Sequence, residues 1–150
     1  MAKEIEMVKF FKIECVLAAV KLRVVIIEGG NVIEGPFDGE EGITLFADLE
    51  AGATGNMSSA MIPDLIRPVV MDYLDGQIEK AENQYNNILP LINYENRQCG
   101  FRAAKVIMKE GGVIGSDFCR HPIPPLEKNT KAGLINLVRT FAPVALNWGK

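Results

Sequence analysis

Among the residues of this sequence able to do chemistry, Lys12 has the most suggestive setting. It lies near the C-terminal end of an apolar run, Met7-Val8-Lys9-Phe10-Phe11-Lys12-Ile13-Glu14, that has the composition of a β-strand. Strand side chains alternate between faces, so Val8, Phe10, Lys12 and Glu14 share one face and Met7, Lys9, Phe11 and Ile13 the other. Two readings of Lys12 follow. Its stem lies along apolar surface while its head reaches water. Alternatively its ammonium is desolvated, its pKa falls, and the free amine forms a Schiff base with a carbonyl. The strand alone leaves both open and leans to the first.

Other candidates carry less. The segment Gly35-Pro36-Phe37-Asp38-Gly39-Glu40-Glu41-Gly42 reads as a glycine-punctuated loop. It lacks Gly-x-Gly-x-x-Gly spacing, and its acids would repel a pyrophosphate, which excludes a dinucleotide fingerprint. Glu40 and Glu41 also suit the first turn of a helix. His121, the sole histidine, has no second histidine or patterned acids near it, so neither a metal site nor a Ser-His-Asp triad is expected. Asn96, Arg97, Gln98 and Arg102 are expected to cap or brace helices, with Arg102 and Lys105 solvated.

The elements that must position Lys12 alternate. After the first strand, Leu17, Val20 and Val24 have helical spacing up to the Gly29-Gly30 stop. Asn31–Gly35 is a short strand, residues 41–50 a helix, and Gly52–Met57 a third strand whose small residues suit close backbone approach. This β-α-β-α-β order predicts parallel strands with right-handed crossovers. Function in such sheets sits at the C-terminal strand ends, where Lys12, the 35–42 loop and residues 56–59 converge.

The remainder reads as helices over Pro63–Leu74, Gln77–Glu95 (bent at Pro90), Cys99–Lys109 and Glu127–Phe141, with Thr130 as an N-cap if the last begins late. Residues 113–126, dense in proline, are expected as loop. With no repeat and no linker, residues 1–150 are expected to form one domain: βα units to about residue 75, then C-terminal helices.

Composition narrows the classes. The chain has 150 residues, a net charge of −3 and no basic stripe, which argues against nucleic acid. The most apolar stretch, residues 15–27, is broken by Lys21 and Arg23, so no membrane span is expected. Cys15, Cys99 and Cys119 are odd in number and widely spaced, fitting free thiols in the cytoplasm.

Taken together, these pieces resemble the C-terminal half of the dihydrodipicolinate synthase / N-acetylneuraminate lyase family of Schiff-base (β/α)8-barrel aldolases and dehydratases. The residues carrying the resemblance are Phe11-Lys12-Ile13-Glu14, Gly39-Glu40-Glu41, Leu45 to Met57, the helices from Gly76 to Leu91, Ala103-Ala104-Lys105, and Arg120 to Leu126. The resemblance implies an α/β fold, the last three parallel strands of a TIM barrel followed by a helical region. It implies a lyase acting on a 2-oxo acid such as pyruvate or a 2-keto-3-deoxy sugar acid, with no cofactor. Lys12 would form the imine, and Gly39, Glu40, Met57 and Ser58 would line the substrate pocket.

A complete barrel takes about 250 residues. Strands one to five, with the family's carboxylate-gripping hydroxyls and its tyrosine proton shuttle, have no counterpart in this sequence. The expected partners are therefore a complementary half-barrel chain or further copies of this one. The chain is expected to be a truncated or split form. The alternative is an inactive fragment or interaction module.

Overall fold

The structure, a computed structural model, describes residues 1–141 and 144–149. The chain divides into two compact units, Met1–Ser58 with Pro68–Tyr85 (unit 1) and Ser59–Arg67 with Asn86–Lys150 (unit 2).

Unit 1 is built on a parallel sheet of three strands in sequence order: β1 (Phe10–Ile13), β2 (Gly35–Asp38) and β3 (Gly55–Asn56). Lys12 pairs with Phe37 and Ile13 with Asp38, while Asp38 also pairs with Asn56. The crossovers are α1 (Ala18–Gly29) and α2 (Leu45–Glu50). Gly30 ends α1 at φ 54°, a left-handed conformation that glycine adopts at little cost. Leu22, Leu45, Leu49, Val69, Val70 and Ala81 are buried and form this unit's apolar core.

The second strand does not lie where the pattern put it. Asn31 and Val32 belong to a 3₁₀ turn, and the strand is Gly35–Asp38. Gly35-Pro36 reads as a loop signal, but proline's missing N–H harms a strand only where a ladder partner waits for it. Pro36 O accepts from Thr54 N, so its nitrogen faces the same neighbour ahead of β3, where no ladder yet exists. The other strands are shorter than their apolar runs because pairing, not composition, sets their ends. The helix expected over 41–50 resolves into a 3₁₀ turn, Glu40–Gly42, and the shorter α2.

Helix α3 (Pro63–Leu74) matches its expected bounds, and α4 (Ile78–Tyr94) continues through Pro90 into a π-helical turn, Glu95–Cys99. In unit 2, α5 (Arg102–Glu110) and α6 (Lys128–Val138) follow. Met61, Ile62, Leu91, Ile92, Ile107 and Leu134 form its core. The cap of α6 is Glu127, whose carboxylate accepts from Asn129 N at 2.7 Å and Thr130 N at 3.2 Å, rather than Thr130. An acid at the N-cap suits the positive end of the helix dipole. Arg102 and Lys105 are not freely solvated. Arg102 donates to Cys99 O and Pro124 O, and Lys105 to Phe118 O, bracing the irregular residues 113–126. Among the described residues no helix is long and apolar enough to cross a membrane, and no cluster of His, Cys, Asp or Glu suits a metal ion.

Candidate active site at the strand ends

Lys12 occupies the penultimate position of β1, on the face shared by Phe10 and Phe37, whose rings stack at 5.8 Å. That face is open: Phe10 is 55% exposed. Lys12 itself is about a third exposed and forms an ion pair with the Glu14 carboxylate. The sequence reading of the strand named Glu14 only as a neighbour on the same face, yet that spacing is what brings the pair together.

Gly39 is the closest of the other candidates. It is buried, and a methyl group there would lie 3.0 Å from Lys12 Cε and 2.8 Å from both Glu14 Cβ and Ile13 O. Only a residue without a side chain lets the turn after β2 approach the Lys12 stem this closely. Glu40 and Glu41 follow at φ 49° and 58°, left-handed conformations that cost a side-chain-bearing residue free energy and persist only where surrounding contacts fix them. Two such contacts come from the Tyr85 hydroxyl, which donates to Gly42 O at 3.1 Å and Ile43 O at 2.7 Å.

Met57 and Ser58 leave β3, two strands from Lys12, which places them about 10 Å away across the sheet. Met57 N donates to Asp38 O at 2.9 Å, tying this segment to the residue before Gly39. Met57 is exposed and Ser58 half-buried. Lys12 and Gly39 are thus in direct proximity, Glu40 extends from Gly39, and Met57 and Ser58 line the far side of the same edge. His121 lines a cavity of about 730 Å³ within unit 2, together with Arg102, Asp117 and Lys131.

Two residues that the sequence pattern did not single out stand behind the turn. Asp38 and Asp48 are both fully buried. Burial first, then the hydrogen bond and the charge of Asp48, hold the Asp38 carboxyl far above the usual range. A signal existed. Asp48 sits between the buried Leu45 and Leu49 on α2, and Asp38 takes a strand position whose register partner is the buried Ile13.

The model of the dihydrodipicolinate synthetase family matches residues 32–140. The chain belongs to that family. An L-2-keto-3-deoxyarabonate dehydratase from Azospirillum brasilense is 52% identical over 148 residues, which cover 99% of this chain and 48% of the relative. The crystal structure of dihydrodipicolinate synthase from Rhodopseudomonas palustris matches with a TM-score of 0.76 and 25% identity, covering 88% of this chain and 45% of that one. A monomeric dihydrodipicolinate synthase variant matches with a TM-score of 0.77 at 20% identity, over 92% of this chain and 46% of that one. The chain therefore spans about half the length of the relatives it matches, and its three parallel strands with their helices are the C-terminal part of a TIM barrel.

Proposed function

We propose that this chain carries the Schiff-base half of a lyase acting on a 2-keto-3-deoxy sugar acid. The observation that carries the reading is Lys12 at a strand end with Gly39 packed against its stem, in a chain 52% identical to an L-2-keto-3-deoxyarabonate dehydratase. The Lys12 amine would add to the 2-oxo group, releasing water as the imine forms. The protonated imine withdraws electrons, so a proton leaves the adjacent carbon, and the resulting enamine expels the hydroxyl one carbon further on. Glu14 holds the Lys12 head group until substrate displaces it. Glu40, Met57 and Ser58 would line the pocket.

A working site needs groups beyond these. Tyr85 and Tyr94 spend their hydroxyls on backbone carbonyls (Gly42 and Ile43; Thr130), and Tyr73 lies edge-on to Phe46. None of the three stands at a strand end, so the proton shuttle and the carboxylate clamp must come from the remainder of a barrel, whichever polypeptide carries it. The open Phe10 face is where that wall would stand. The free thiols of Cys15, Cys99 and Cys119 fit a cytoplasmic setting. The open apolar face at Phe10 supports a second reading, an inactive interaction module.

The test is borohydride trapping with pyruvate, with and without the N-terminal half of the Azospirillum enzyme added. The expected result is an adduct mapped to Lys12, absent in Lys12→Ala, and turnover of L-2-keto-3-deoxyarabonate only with both halves present. A folded two-half complex that neither traps pyruvate nor dehydrates the substrate would leave the module reading standing.

A further inference from the structure

We propose that Asp38 and Asp48 are positioning residues whose carboxyl groups share one proton behind the sheet and thereby hold the Gly39–Gly42 turn against the stem of Lys12. This deepens the reading above, in that Lys12 is taken as the reactive amine.

The geometry sets the pair on the face opposite Lys12. Asp38 ends β2 in register with Ile13, whereas Lys12 is in register with Phe37, so Asp38 points towards the helices. One oxygen of each carboxyl is accounted for: Asn56 Nδ2 donates to Asp38 Oδ2, and Thr44 Oγ1 donates to Asp48 Oδ2 at 2.8 Å. The Oδ1 atoms of both are buried with no other partner. Among the described residues no lysine, arginine or histidine pairs with either acid. The two buried carboxyls interact directly and have no cation, so keeping both charged is costly, and a single proton between them satisfies both orphaned oxygens.

The groups facing the pair reinforce this. Glu40 in the turn adds negative charge. From α4, Tyr85 is pushed up to about 12, by burial first and then by the charges of Asp38 and Asp48, and so remains a hydroxyl donor to Gly42 and Ile43. The turn is therefore fixed at both ends, by Asp38 where it begins and by Tyr85 where it closes. Its left-handed residues Glu40, Glu41 and Gly42 (φ 49°, 58° and 87°) require such support.

Asp38 is raised from 3.8 to about 9 in the folded chain, so across that window the folded state holds a proton that the unfolded state releases. Stability from the pair falls as pH rises and is lost beyond about 9.

The test is proteinase K digestion of the full chain from about pH 6 to about pH 10, with cuts mapped by mass. Cleavage within 39–43 reports the turn, and cleavage within 113–126 serves as reference. In the parent chain, turn cleavage should rise relative to the reference by up to about tenfold per pH unit as pH approaches about 9, and should level off once the shared proton is lost. Asp38→Asn, which keeps the shape and a donor without the proton, should resist throughout, and Asp38→Leu should be cut at neutral pH. Equal pH profiles for the parent and Asp38→Asn overturn the proposal, as does turn cleavage of the parent at neutral pH. Pyruvate trapping on the same samples separates the two claims. A latched turn without a Lys12 adduct sinks the Schiff-base reading alone, whereas an adduct with a turn indifferent to Asp38→Asn sinks the latch alone.

Discussion

Helix α1 of unit 1 and helix α5 of unit 2 treat their apolar residues in opposite ways. Helix α5 buries Ala103, Val106 and Ile107, an i, i+3, i+4 stripe, and shows charge elsewhere. Helix α1 buries Ala18 and Leu22 and leaves Val20, Val24 and Ile27 at 56%, 48% and 77% exposure. These three recur at i, i+4, i+7, so they form a second stripe rather than scatter. A helix in the ring of a barrel has a neighbour on either side. Helix α1 has α2 on one side, and its second stripe is left exposed. Apolar spacing alone therefore does not tell which stripe of a helix this chain buries.

The largest effects should fall where burial is complete. Ile107→Ala, at a side chain with no exposure, should cost about 2–5 kcal/mol in chemical denaturation. Ile27→Ala should stay within about 0.5 kcal/mol, because its side chain leaves water little on folding. Comparable losses at both sites would break the contrast. The stripe should instead govern association: Val24→Lys with Ile27→Lys should lower self-association in sedimentation velocity without moving the unfolding midpoint.

Gly39 sharpens the contrast within unit 1. Its backbone is extended, at φ −118°, so alanine meets no conformational penalty there, only crowding against Glu14 Cβ, Ile13 O and Lys12 Cε. Ile13 O and Glu14 Cβ are fixed by the backbone of β1 and its continuation and yield little, whereas Lys12 Cε can move. Gly39→Ala should cost about 1–3 kcal/mol and should lower the yield of the Lys12–pyruvate adduct by more than the fraction unfolded. An adduct yield that tracks folding alone would show that the turn is mere scaffolding.

Legibility followed locality. Lys12 at a strand end was readable because the alternation of Val8, Phe10 and Ile13 lies within one short run. The bounds of α3 were readable because Pro63 opens it and Asp75-Gly76 follows it. The second strand was displaced because a Gly-Pro signal is local, while what makes the proline harmless, a neighbour whose ladder begins only after it, lies some eighteen positions on. The Asp38–Asp48 pair escaped for the same reason. Each acid sits alone on its own element, and only the crossover from β2 to α2 brings them together. What the pattern did show was a charge at each of two positions where apolar neighbours are buried, and such a misplaced charge is the trace a buried polar device leaves in a sequence.

The smallest effect concerns a third aspartate, which tests whether the two units respond to pH in opposite senses. Asp117 of unit 2 accepts from Lys131 at 2.8 Å and Lys109 at 3.0 Å. Those bonds, Lys131 first, hold its carboxyl down at about 2. Here the folded state favours the charged form, so the contribution is present above the ordinary value of 3.8 and is lost as pH falls towards about 2. The side chains are a quarter to two-fifths exposed, so solvent and salt screen them and the pairs contribute at most about 1 kcal/mol. Asp117→Asn should lower the thermal midpoint slightly at neutral pH, less so near 1 M salt at about 3 Å screening length, and not at all once the parent carboxyl is protonated. Asp38→Asn should do the reverse, gaining on the parent as pH rises. If both variants shift stability with the same pH sign, the shared-proton account of unit 1 fails, because a buried acid pair and a lysine-bridged surface acid must titrate against folding from opposite ends.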